Sequence, residues 1–100
     1  MTKLMIMYPT PFNLEKFDEL YFKEHVPLAQ QVKGVKHTFM HKVVQNLNPN
    51  EPFYLIVELE FEDLEQLHHV ISTPEWEKVS ADAERLHPYL PHPPAICICE

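Results

Sequence analysis

The chain has 100 residues, 45% of them hydrophobic, and carries 15 acidic against 8 basic side chains for a formal charge of −7. That length is one domain's worth of chain, so residues 1–100 are expected to form a single domain, and the apolar content argues against disorder. The acidic balance disfavours nucleic-acid phosphates and anionic membrane surfaces, so neither is expected as a partner.

No apolar stretch approaches a bilayer span, and the opening Met1 to Pro9 lacks the length and cleavage site of a secretory signal. Cys97 and Cys99 are separated by one residue near the C-terminus. A strand places them on one face, but so small a disulfide ring would strain an extended backbone. Reduced thiols in a cytoplasmic protein are the expected state.

Lys3 to Tyr8 reads as a short, mostly apolar strand, ended by Pro9 and Pro11, which cannot donate to a ladder. Asn13 is the expected N-cap of a helix whose apolar positions are Phe17, Leu20, Tyr21 and Leu28. Tyr21 and His25 are four apart and share one side of it. Pro27 predicts a kink or short break around His25 to Leu28.

Gly34, the only glycine, fits a helix C-cap or a turn needing positive φ. Val35 to Gln45 alternates, with His37, Phe39, His41 and Val43 on one face. Asn46 to Pro52, with Pro49 inside it, is loop chemistry. Phe53 to Phe61 is a second long strand, with Tyr54, Ile56, Glu58 and Glu60 on one face and Leu55, Val57 and Leu59 on the other.

Asp63 is expected to cap a helix striped by Leu64, Leu67, Val70 and Ile71. Thr73 and Pro74 suit the start of another, buried along Trp76, Val79, Ala83 and Leu86. Leu90 to Pro94 is an extended connector, and Ala95 to Cys99 is the last strand. The order β-α-β-β-α-β is the split βαβ arrangement, a ferredoxin-like α+β fold with a four-stranded antiparallel sheet. Two helices cover one sheet face. Apolar side chains on the other predict a homodimer formed by pairing two sheets.

Several segments resemble the EthD family, named for ethyl tert-butyl ether degradation. Lys3-Leu4-Met5-Ile6-Met7-Tyr8-Pro9 is similar to its opening strand, and Phe17 to Ala29, with Tyr21, His25, Pro27 and Leu28, to its helix motif. Lys33-Gly34-Val35, Pro52 to Leu59 and Thr73-Pro74-Glu75-Trp76 resemble its later elements. The resemblance implies a dimeric α+β barrel with a pocket between each sheet and its helices. Related barrels include cofactor-independent monooxygenases, isomerases, cyclases, dehydratases and haem-degrading proteins, so the fold alone does not select a chemistry.

His25, beside the helix-breaking proline, can exchange a proton near neutral pH, and Tyr21 can orient it or donate to a substrate oxygen. These two are the expected catalytic pair. The alternative is that His25 only caps carbonyls freed at the Pro27 kink. His37 and His41, with Phe39 between them, are expected either to line the pocket or to lie at a dimer surface or sheet edge. Phe39 and Tyr54 are expected as pocket walls. Glu58 is expected as a pocket carboxylate of raised pKa, or else as part of a solvated face.

His68 and His69 are adjacent and point apart on a helix, and no matching ligand pair completes a set with Cys97 and Cys99, so no metal site is expected. The chain has no glycine-rich phosphate loop, and no organic cofactor is expected. The leading expectation is a small enzyme using histidine acid/base chemistry on a compact hydrophobic or aromatic molecule, whether oxygenase, isomerase or dehydratase. The alternatives are a non-catalytic ligand-binding or accessory protein supporting a partner oxidase, and a haem-handling barrel.

Overall fold

The computed structural model describes residues 1–48 and 50–100. The loop expected from Asn46 to Pro52 therefore includes one residue, Pro49, that lies outside the described residues. Four strands, β1 (Thr2–Pro9), β2 (His37–Lys42), β3 (Phe53–Phe61) and β4 (Ala95–Cys99), form one sheet in the order β2-β3-β1-β4. All neighbours are antiparallel. The helices α1 (Leu14–Leu20), α2 (Val26–Ala29), α3 (Leu64–Ile71) and α4 (Pro74–Ala83) accompany it. This is the ferredoxin-like α+β fold expected from the element order.

The helix starts follow from local chemistry. Asn13, Asp63 and Thr73 each accept a hydrogen bond from the backbone N–H three residues on, at Lys16, Gln66 and Trp76. These bonds satisfy N–H groups that the first turn leaves without partners. Pro74 occupies the first turn of α4, where its missing N–H costs nothing.

The expected break at Pro27 is real, but it takes a different form and begins a turn earlier. Tyr21–His25 is a π-helical turn leading into α2, and the Val26 N–H reaches back to the Tyr21 carbonyl. Pro27 has no N–H to give Lys23, and its ring crowds that carbonyl. One wide turn relieves both problems while the chain continues helically.

One sheet face carries the core. Leu4 and Tyr8 of β1 and Leu55, Val57 and Phe61 of β3 pack against Phe17, Tyr21, Leu67, Val70, Leu86 and Leu90. Leu86 sits in a 3-10 segment, Glu84–Tyr89, rather than in a continued α4, because Pro88 forbids further α geometry. Strand β2 is shorter than the alternating pattern suggested. Gly34, at φ 97°, lies in the turn before it, and every residue of β2 is exposed in the isolated chain.

Candidate functional site

Between the helix-facing side of the sheet and α2 and α4 lies a cavity of about 310 Å3. Its walls are mostly apolar, with Ile6 and Val57 on the sheet, Val32 and Val35 in the connection to β2, and Trp76 and Val79 on α4, beside the polar Gln30, Lys36 and Thr38. Tyr21 and His25, set on the π turn, supply polar groups to the lining. Their rings stack obliquely with centroids 5.4 Å apart.

His25 is buried, and its Nδ1 stands 2.9 Å from Asp82 Oδ2. Burial alone would raise the Asp82 carboxyl, but hydrogen bonds from His25 and Arg85 outweigh it and hold the carboxyl below its ordinary range. An ionised carboxylate only accepts, so Nδ1 must carry the proton. In a neutral ring the lone pair is then on Nε2. Among the described residues no buried side-chain nitrogen or oxygen lacks a partner. His25 Nε2 makes no hydrogen bond to another described residue, and His25 is one of the residues lining the cavity. Arg85 fixes Asp82 Oδ1 at 2.8 Å and reaches Glu24 at 2.8 Å, which ties α4 to the π turn from outside.

Tyr21 is nearly enclosed, and desolvation, with Tyr8 beside it, pushes its phenol well above the ordinary value. Its hydroxyl therefore stays protonated at neutral pH. The recorded partner is the Met40 thioether sulfur at 4.0 Å, a weak acceptor that a ligand oxygen can displace. Burial likewise pushes Tyr8, another lining residue, up to about 12.

The other residues singled out from the sequence are placed differently. His37 touches the cavity lining, while its Nδ1 lies 3.0 Å from Glu60. Phe39, His41 and Glu58 stand on the opposite sheet face, because Met40 and Val57, their strand neighbours, point to the cavity. Phe39 is thus not a cavity wall; the Lys3 ammonium lies 5.7 Å from its ring centre. Glu58 does not have the raised pKa of a pocket carboxylate. Hydrogen bonds from His41 at 2.5 Å and Lys3 at 3.1 Å hold it low. Tyr54 departs from strand alternation beside the register shift at Tyr8/Pro9. Its ring packs edge-on to Phe17 and its hydroxyl donates to Asp18 at 2.8 Å, so it braces α1 rather than walling the cavity.

Asp82, Arg85 and Glu24 were not read from the sequence. A usable signal existed. Asp82 is three residues after Val79 and four before Leu86, inside the buried stripe, where a carboxylate needs a partner.

Fold and site together define a small ferredoxin-like α+β protein with a cavity between sheet and helices, edged by a buried tyrosine and a carboxylate-anchored histidine. Residues 10–87 match the EthD domain, and the chain belongs to the EthD family. It is 34% identical over 83 residues to an uncharacterised 11.0 kDa protein of the thcB–thcC intergenic region of Rhodococcus erythropolis, covering 82% of this chain and 80% of that one. An EthD family protein from Bacillus halodurans C-125 superposes with a TM-score of 0.85 at 28% identity, covering 100% of this chain and 97% of the other. A dimeric ferredoxin-like protein of unknown function from Jannaschia sp. CCS1 gives a TM-score of 0.69 at 10% identity, over 100% and 99% of the two chains, and supports the fold alone. Among the described residues, no helix is long and apolar enough to cross a membrane.

Proposed function

We propose that this protein is a small enzyme that moves a proton on a compact, largely apolar molecule held in the cavity, with His25 as general base and acid and Tyr21 as hydrogen-bond donor. The observation that carries the reading is the His25–Asp82 contact. With Nδ1 engaged by Asp82, the reading takes Nε2 as the free lone pair, on a residue that lines a mostly apolar hollow. A carbon acid whose carbonyl oxygen accepts from Tyr21 would lose its proton to Nε2, and the resulting enolate would be held by the phenol. Returning the proton to another carbon completes an isomerisation, and expelling a hydroxide as water completes a dehydration. Both begin with the same abstraction, and neither step needs an organic cofactor.

The test needs no knowledge of the natural substrate. 2-Tetralone, a compact enolisable aromatic ketone, is incubated with the protein in D2O, and loss of its α-proton signals is followed by NMR. Exchange faster than buffer alone, falling about a hundredfold or more in His25→Ala, is expected. Exchange equal in the two proteins would remove His25 as the base. A saturable chemical-shift change without exchange would favour the second reading, a ligand-holding accessory protein, which the mostly apolar lining also supports.

A homodimer through the helix-free sheet face belongs to the same proposal. That face carries Phe39, Met5, Met7 and Ile56 among its polar groups, and the edge strands β2 and β4 are exposed throughout in a single chain. Covering it with a second copy would bury this surface. The two free thiols fit a reducing, cytoplasmic setting.

A further inference from the structure

Tyr8 is a buried titratable group that the proton transfer between His25 and a ligand does not use. It stands two residues after Ile6 on β1, and alternation gives both to the helix side of the sheet, where both line the cavity. Tyr8 is 2% exposed, and its ring packs edge-on to Phe17 and obliquely to Tyr21, with centroids 5.4 Å away in each case. A phenylalanine would serve that packing equally well. Packing does not account for the hydroxyl, since burying one without a partner costs stability.

That hydroxyl makes no hydrogen bond to another described residue. Among those residues every fully enclosed side-chain oxygen has a partner, so the Tyr8 oxygen is not sealed in protein. Tyr21 is in a similar position. Its partner, the Met40 thioether at 4.0 Å, is a weak acceptor. Two neighbouring phenols thus line one cavity with donor capacity that the protein leaves nearly unused.

Both phenols are in the state that donates. Burial pushes Tyr8 up to about 12, and burial with Tyr8 beside it pushes Tyr21 higher still, so neither ionises near neutral pH. A neutral phenol donates best to an anion, because an O–H···O− bond is shorter and roughly twice as strong as a neutral one. Donors already fixed beside a hollow hold an oxygen more tightly as negative charge builds on it, and need no rearrangement to do so. The walls, with Ile6, Val57, Trp76 and Val79, suit a flat apolar body carrying that oxygen.

We propose that Tyr8 is a second hydrogen-bond donor to the ligand, acting with Tyr21 on one oxygen, and that the cavity takes ligands in which this oxygen is or becomes an anion: the enolate of a conjugated ketone or the phenolate of a phenol. A ketone gives a C–H proton to His25 Nε2, and the electron pair of that bond leaves the carbonyl oxygen as the enolate. A phenolate arrives already without its proton. The catalytic half of the proposal rests on the proton-transfer reading, and the binding half does not.

The binding half is tested with 4-nitrophenol, titrated calorimetrically into the full chain above the pKa of the free phenol, where the probe is already an anion and His25 has no proton to take. 4-Nitrotoluene, an uncharged molecule of similar shape, is the control. Tyr8→Phe, which removes one oxygen and keeps the ring, should weaken 4-nitrophenolate tenfold or more and leave 4-nitrotoluene unchanged. The same difference should persist in a His25→Ala background. In the D2O assay, Tyr8→Phe should lower kcat for exchange of 2-tetralone tenfold or more with KM little altered. Failure of 4-nitrophenolate to bind, equal affinity in wild type and Tyr8→Phe, an equal loss for 4-nitrotoluene, or exchange indifferent to Tyr8→Phe would each overturn the proposal. Exchange indifferent to His25→Ala, with the Tyr8 effect on 4-nitrophenolate intact, would sink the proton-transfer reading and support the two-phenol clamp as a binding site.

Discussion

His25 Nδ1 lies 2.9 Å from Asp82 Oδ2, so a π turn near the start of the chain and a helix 57 residues later share one proton. The contact does more than fill a donor. It decides which nitrogen of the neutral ring carries the hydrogen, and so which one keeps the lone pair of a base. Nitrogen-15 NMR of labelled protein should show the neutral ring of His25 with its proton on Nδ1. Asp82→Ala should return the ring to a mixture of tautomers while the far-UV spectrum stays that of the wild type. The exchange rate of 2-tetralone should fall tenfold or more in the same variant. An unaltered tautomer would remove Asp82 as a positioning residue without touching the role of His25.

The same pair sets a pH dependence. Asp82 is held below its ordinary value of 3.8 in the fold, so the unfolded chain binds its proton more readily than the folded one. Its contribution to stability is therefore present above about pH 4 and is lost as pH falls through the lower, folded value. Urea midpoints measured from pH 6 downward should decline in the wild type through this range. In Asp82→Asn the starting stability should be lower and the decline shallower, because one linked carboxylate is gone.

Much of the fold was legible because each element announces itself locally. Asn13, Asp63 and Thr73 mark three helix starts through side chains that accept from the N–H three residues on. Tyr21 and His25 could be placed on one side of a helix because their spacing is local. Phe39, His41 and Glu58 could not be assigned a face relative to the cavity, since alternation says which residues travel together but not which side meets the helices. Tyr54 escaped because a register shift at Tyr8/Pro9 breaks the period on which its assignment rested. Asp82 is the other kind of omission. Its place in the stripe between Val79 and Leu86 says that it needs a partner, and Arg85 lies within reach along the chain, but its main contact, His25, is 57 residues away and no local window contains it.

Gly34 is the position where the backbone most narrowly limits the side chain. Its φ is 97°, and a Cβ added there would stand 2.6 Å from Val70 Cγ2 and 2.8 Å from Gln66 Nε2. Gln66 is a flexible side chain and can yield, but Val70 belongs to the packed cluster with Leu4, Phe61 and Leu67. Gly34→Ala therefore combines backbone strain with a core clash. A loss of about 2 kcal/mol or more is expected, read as a lower urea midpoint at unchanged slope. A midpoint equal to wild type would mean that the turn before β2 rearranges freely.

Phe39 offers a way to separate assembly from folding. It sits on the helix-free face with 42% of its surface exposed, so the isolated chain gains little from it. Across the ladder it faces Glu58, with Lys3 above its ring. An arginine there would find Glu58 as a partner within one chain, yet would place a charge in the middle of a sheet-to-sheet contact. Light scattering of the wild type at micromolar concentration should give twice the chain mass. Phe39→Arg should give the single-chain mass, with a melting profile still cooperative but now independent of protein concentration. A wild type that runs at the single-chain mass would refute the dimer, and a variant that stays dimeric would move the interface away from this face.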